Sequence, residues 1–85
     1  MIDLTKCKPG DKLRIRFEGV VGELLKEKGI TSIATYGRYI KSPLFGKEYH
    51  HEIIYSDGSK GTRADNGQTY VNNPHDDDPD VLEIL

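Results

Sequence analysis

Three cations, Lys12, Arg14 and Arg16, alternate with Leu13, Ile15 and Phe17 along one stretch of this 85-residue chain. Alternate residues of a strand share a face and lie ~6.6–6.8 Å apart, close to the spacing of phosphates along a nucleic-acid backbone. A stripe of this kind can hold a phosphate chain or a smaller anion, and Lys6, Lys8, Arg38 and Lys41 are candidates to extend it. Single-strand binders flank such a groove with aromatic rings on which bases stack, and Tyr36 and Tyr39 are candidates for that role. The bland alternative is a solvated face, because the wet side of a strand is polar and Lys or Arg there discourages edge-to-edge association. A net charge of −2 favours the bland alternative, since free-standing nucleic-acid binders carry a basic excess. That charge is unevenly spread. Residues 1–41 hold nine Lys/Arg against five Asp/Glu (+4), and residues 42–85 hold three against nine (−6).

A second constellation surrounds Pro43: Tyr36, Tyr39, Leu44 and Phe45. Exposed together, they would make an apolar patch that binds a protein partner; packed inward, they would close one end of a core. Tyr49 and Tyr55 share strand parity with Ile53 and are expected inside. His50 and His51 are adjacent, so on a strand they project to opposite faces and cannot ligate one metal without a bulge. His75 with Asp76 and Asp78 lacks zinc-like or EF-hand spacing, and no metal or cofactor is expected. Asp76-Asp77-Asp78-Pro79-Asp80 is composed of ordinary turn formers. No nucleophile elbow, phosphate loop or His–Cys pairing is present. The clustered aspartates lack the apolar burial that tunes a general acid, so the expectation is a protein that is not an enzyme. Cys7 is the sole cysteine; it excludes an internal disulfide or a cysteine cage and reads as a buried or half-buried thiol.

The elements that must position these residues are strands. Asp57-Gly58 and Asn66-Gly67 tolerate the positive φ of hairpin turns and predict a three-stranded antiparallel meander over 49 to about 72. Lys12–Glu18 is an alternating, half-buried strand behind the Pro9-Gly10 turn. Gly19 permits a bend, and Val20–Leu25 reads as a second strand. Leu24–Gly29 could instead be a short helical turn capped by Gly29, but no N-capping residue precedes it. Residues 30–40 are β-branched and aromatic and read as a third strand, with Gly37 as either a hairpin turn or a bulge. The strand 49–56 places Tyr49, His51, Ile53 and Tyr55 on one face and His50, Glu52 and Ile54 on the other. Residues 59–65 carry little apolar material, and Val81–Leu85 is a terminal strand expected to pair with the first. At this length one domain, 1–85, is expected, burying only ~60% of its unfolded surface. No apolar run is long enough to span a membrane or to serve as a signal peptide, so a cytoplasmic location is expected.

Lys8-Pro9-Gly10-Asp11-Lys12-Leu13-Arg14-Ile15 resembles the opening strand of SH3-like small barrels, the class that includes KOW and Tudor-like domains. The close, an Asp-rich loop followed by Val81-Leu82-Glu83-Ile84-Leu85, is similar to the ending common in that group, and Ser56-Asp57-Gly58 resembles its marked hairpin. Short bacteriophage and prophage proteins often share this frame. The resemblance covers about half the chain, at positions that are structural. It implies an all-β, five- to six-stranded SH3-like barrel, closed to remove its edges, with residues 26–48 as an inserted loop or hairpin excursion. The function expected is a non-catalytic binding module, of the phage or prophage accessory kind, that acts on a host protein through the 26–48 excursion and the adjoining basic strand face. The alternatives are a nucleic-acid binder and a sponge for a small anionic, nucleotide-like ligand held between subunits.

Overall fold

The computed structural model describes residues 2–43, 48–69 and 79–85. Its strands are β1 (Lys12–Ile15), β2 (Ile33–Tyr39), β3 (His51–Ile54), β4 (Lys60–Arg63) and β5 (Val81–Ile84). They form one antiparallel sheet in the order β4-β3-β2-β1-β5. A 3-10 turn (Leu4–Lys6) and one helix, α1 (Gly19–Glu27), complete the elements. The terminal strand does pair with the first, Leu13 opposite Ile84 and Arg14 opposite Glu83.

The sheet is not a closed barrel, contrary to the expectation from sequence; β4 and β5 are its two edges. Single bonds tie these edges together instead. Val81 N–H donates to the carbonyl of Gly67 at 2.9 Å, Thr69 N–H donates to Asp80 Oδ1 at 2.9 Å, and the Arg63 side chain reaches Pro79. The expected third meander strand falls on Gln68–Asn72. Gln68 and Thr69 belong to no strand, and residues 70–72 lie outside the described residues. After the Asn66-Gly67 turn (Gly67 φ +84°) the Gln68 carbonyl accepts from the Ala64 N–H at 3.0 Å, and the Gly67 carbonyl accepts from Val81 at the start of β5.

Val20–Leu25, expected as a strand, is helical. Val21 and Leu25 stand one helical turn apart and both pack on the core, which a strand would also permit for residues of equal parity. Gly22 fits the helix closely: a β-carbon there would lie 3.0 Å from the Phe17 carbonyl carbon, so the first turn rests directly on the backbone before it. Glu18, the N-cap, makes no side-chain capping bond, which is why the usual start signal is missing. At the far end Gly29 takes φ +76° and donates its N–H to the carbonyl of Lys26, the termination expected of the helical alternative.

The described part of 26–48 is not an excursion: it includes the end of α1 and the central strand β2, in which Gly37 marks a bulge between Tyr36 and Arg38 rather than a hairpin turn. On β3 and its flanks Tyr49, His51, Ile53 and Tyr55 are all buried, as the inward parity requires, but Glu52 on the opposite parity is buried as well. Leu13, Ile15, Ala34, Tyr36, Ile53 and Val81 from the sheet meet Leu4, Leu25 and Ile30 in a single core. Residues 59–65, thin in apolar material, still supply one strand. The β3–β4 connection puts Gly58 at φ +90°, with Asp57 Oδ1 accepting the Ser59 N–H.

Candidate functional site

The cationic stripe lies on the uncovered face of the sheet, and each member meets a group of its own chain. Lys12 Nζ donates to Thr35 Oγ1 at 3.0 Å, on the neighbouring strand. Arg14 forms an ion pair with Glu83, its cross-strand partner on β5. Arg16 lies beyond the end of β1 and pairs with Glu18 at 2.8 Å. Arg38, at the β2 bulge, faces Glu52 at 3.4 Å. Lys41 is exposed beyond β2. Arg14 stands beside Ile33 at the beginning of β2 and Arg38 near its end, so these two lie toward opposite ends of that strand. Lys6 and Lys8 are exposed on the N-terminal segment.

Of the aromatic candidates, Tyr36 is buried, with 3% of its surface exposed; neither a base nor a partner can reach it. Inward parity on β2 puts Tyr36 next to Ile53 of β3, inside the core. Tyr39 lies on the other side of the bulge and is 57% exposed. Leu44 and Phe45 lie outside the described residues, as do His75 and Asp76–Asp78.

Three residues from three segments form a hydrogen-bonded chain beneath Tyr39. Tyr36 Oη lies 2.7 Å from His51 Nδ1, and His51 Nε2 lies 2.7 Å from Asp65 Oδ1. A carboxylate oxygen only accepts, so Nε2 carries a proton; in the neutral ring Nδ1 then accepts from the tyrosine hydroxyl. Burial pushes the Tyr36 phenol up from its ordinary range, and the nearby Cys7, Asp65 and Tyr39 add to the shift. Tyr36 is therefore held as a neutral donor. Cys7, half-buried as expected, has its thiol pushed up by burial and by Asp11 and Asp3, away from the reactive thiolate.

The exposed Tyr39 ring rests on two imidazoles. It stacks on His50 at 5.1 Å and 16° and meets the His51 ring edge-on at 5.6 Å and 71°. His50 is itself fixed, its Nδ1 donating to the Ile40 carbonyl at 2.8 Å; His51, 1% exposed, is fixed by Tyr36 and Asp65. Beside this cluster lies a depression of about 380 Å³ lined by Glu48, Tyr49, Ala64, Asp65, Asn66 and Gln68. His51 links the two: the Tyr39 ring meets it edge-on, and its Nε2 is bonded to Asp65 of the depression's lining.

Sequence reasoning misses Asp65 and the role of His51. It also misses Arg63, which is fully buried. Arg63 Nε and Nη2 donate to the Pro79 carbonyl at 2.9 and 2.7 Å, Nη1 donates to the Thr62 carbonyl at 2.7 Å, and Nη2 also reaches the Tyr55 hydroxyl. The guanidinium lies over the Tyr55 ring at 5.8 Å. Gly61 leaves it room, since a β-carbon there would come within 2.9 Å of Arg63 Nη1. A Gly-x-Arg pair of equal parity was the available signal. No described group of three or more His, Cys, Asp or Glu side chains is placed to hold a metal, and no described helix is long and apolar enough to cross a membrane. No family model, curated protein or solved structure matches the chain.

Proposed function

We propose that the chain is a non-catalytic binding module, a phage or prophage accessory protein in character, that takes a protein partner at the Tyr39 end of its sheet. The observation that carries this reading is Tyr39 itself: an aromatic ring more than half exposed, yet held by a stack on His50 and an edge contact with His51. Exposed aromatics that are already ordered lose little freedom on binding and serve as interface anchors. The polar groups around it support binding over chemistry. The Tyr36 hydroxyl is buried and held protonated, and the buried His51 is occupied at both nitrogens. The resemblance of the Pro9-Gly10-Asp11 opening and the Val81–Leu85 close to SH3-like barrels supports the same reading.

The nucleic-acid and anion-sponge alternatives need cations free to meet phosphate. They draw less support from a face on which Lys12, Arg14, Arg16 and Arg38 each contact a group of the same chain. The test is partner capture by the full chain, compared among the wild type, Tyr39→Ala, Tyr39→Phe and Arg14→Ala/Arg16→Ala. Capture of a protein that disappears in Tyr39→Ala, persists in Tyr39→Phe and ignores the arginine double variant is the expected result. Capture of nucleic acid, or of protein at undiminished level by Tyr39→Ala, overturns the proposal.

A further inference from the structure

Resting on that reading of Tyr39, we infer that the partner segment is basic: it lays an apolar side chain on Tyr39 and inserts a lysine or arginine into the adjoining depression. The two features share His51, which meets the Tyr39 ring edge-on and bonds Asp65 of the lining. Among the described residues the depression is lined by the carboxylate residues Glu48 and Asp65, with Tyr49, Ala64, Asn66 and Gln68, and by no cation. Arg38, at the β2 bulge, faces Glu52. The charge at this end is therefore complementary to an ammonium or guanidinium group.

Asp65 is also aimed. One carboxylate oxygen is bonded to Nε2 of the buried His51, while the side chain remains 67% exposed. A carboxylate held this way presents its second oxygen without first having to be ordered, so less freedom is lost when a cation arrives. The acidic balance of residues 42–85, three Lys/Arg against nine Asp/Glu, strengthens attraction of a basic segment at a distance.

The experiment is an NMR titration of the full chain with two capped peptides of about six residues. One carries a phenylalanine flanked by lysine and arginine, and the other has glutamate in place of both cations. The basic peptide is expected to shift the amide signals of Tyr39, Asp65, Asn66 and Gln68 in a salt-sensitive manner, and the acidic one to leave them in place. Glu48→Gln/Asp65→Asn should weaken the basic peptide by roughly three- to tenfold, the effect expected of two exposed ion pairs. Asn at 65 keeps an acceptor for His51 Nε2, so the fold is retained and unchanged spectra elsewhere verify it. Equal shifts with both peptides, no shift with either, or unchanged affinity in the double variant overturns the inference. Tyr39-dependent capture of a protein alongside any of those results leaves the anchor standing and removes only the charge assignment. Loss of that capture removes both.

Discussion

The solvent face of β1 and the Tyr39 end of β2 are both polar surfaces of one small sheet, and they use their polar groups in opposite ways. On β1 the cations are satisfied by the next strand: Arg14 by Glu83, Lys12 by Thr35. At the end of β2 the polar groups work underneath, with Tyr36, His51 and Asp65 bonded in series and a ring left exposed above them. Charge read along one strand therefore says little about what that strand offers a partner, because its neighbours across the sheet have already answered it. An exposed aromatic supported by satisfied polar groups says more.

A sharper contrast within the same sheet lies between Arg14 and Arg63. The first is half-exposed and paired with a carboxylate; the second is fully buried and bonded to carbonyls and a hydroxyl. Arg63→Ala should cost more stability than any other substitution at these two surfaces, about 3 kcal/mol or more. It empties the space beside Gly61 and removes the guanidinium donors from the Pro79 carbonyl. Urea denaturation measures the loss, and hydrogen exchange should show β5 loosened first, since Arg63 helps tie that edge down. A loss below about 1 kcal/mol, within the range of an ordinary surface change, would erase the contrast.

Next in size is Tyr36→Phe, expected to cost about 1–2 kcal/mol by leaving His51 Nδ1 without its donor. The same variant carries a pH signature. A phenol pushed up by burial keeps its proton in the fold at pH values where the unfolded chain has released it. Stability from this group is thus intact below about pH 10 and declines as pH rises above it toward the folded value. Tyr36→Phe should flatten that alkaline decline, and thermal melts across the alkaline range test it.

Smaller still is the surface pair. A double-mutant cycle on Arg14→Ala and Glu83→Ala should return only about 0.2–1 kcal/mol of coupling, reduced further by salt. A coupling larger than the loss in Arg63→Ala would reverse the ranking of the two regions. Asp57, whose carboxyl is held below its ordinary range first by the Ser59 hydroxyl and then by the Ser59 N–H, should stabilise the hairpin at neutral pH. That contribution is lost as pH falls through the carboxylate range toward the folded value, and Asp57→Ala should remove the acid dependence without altering the sheet.

Local chemistry makes much of the sheet legible in advance. Asp57-Gly58, the alternation at Leu13 and Ile15, and the inward parity of Tyr49, His51, Ile53 and Tyr55 are properties of a few neighbouring residues, and each recurs in the fold. Residues 20–27 are not legible in the same way, because Val21 and Leu25 share parity and also stand one helical turn apart, so both helix and strand put them on one side. Barrel closure escapes the sequence for a related reason: whether two edges pair depends on how far the sheet curls.

What the sequence determined by itself was the Asp57-Gly58 turn, the inward parity of Leu13 and Ile15 and of Tyr49 to Tyr55, and the pairing of the last strand with the first, because these follow from φ preference and hydrophobic alternation. Only the tertiary structure decided which polar groups are already spoken for. Partners such as Arg14 and Glu83, Arg63 and Pro79, or His51 and Asp65 lie 14 to 69 residues apart. Nothing in either residue of such a pair encodes the other; the folded backbone brings them within bonding distance.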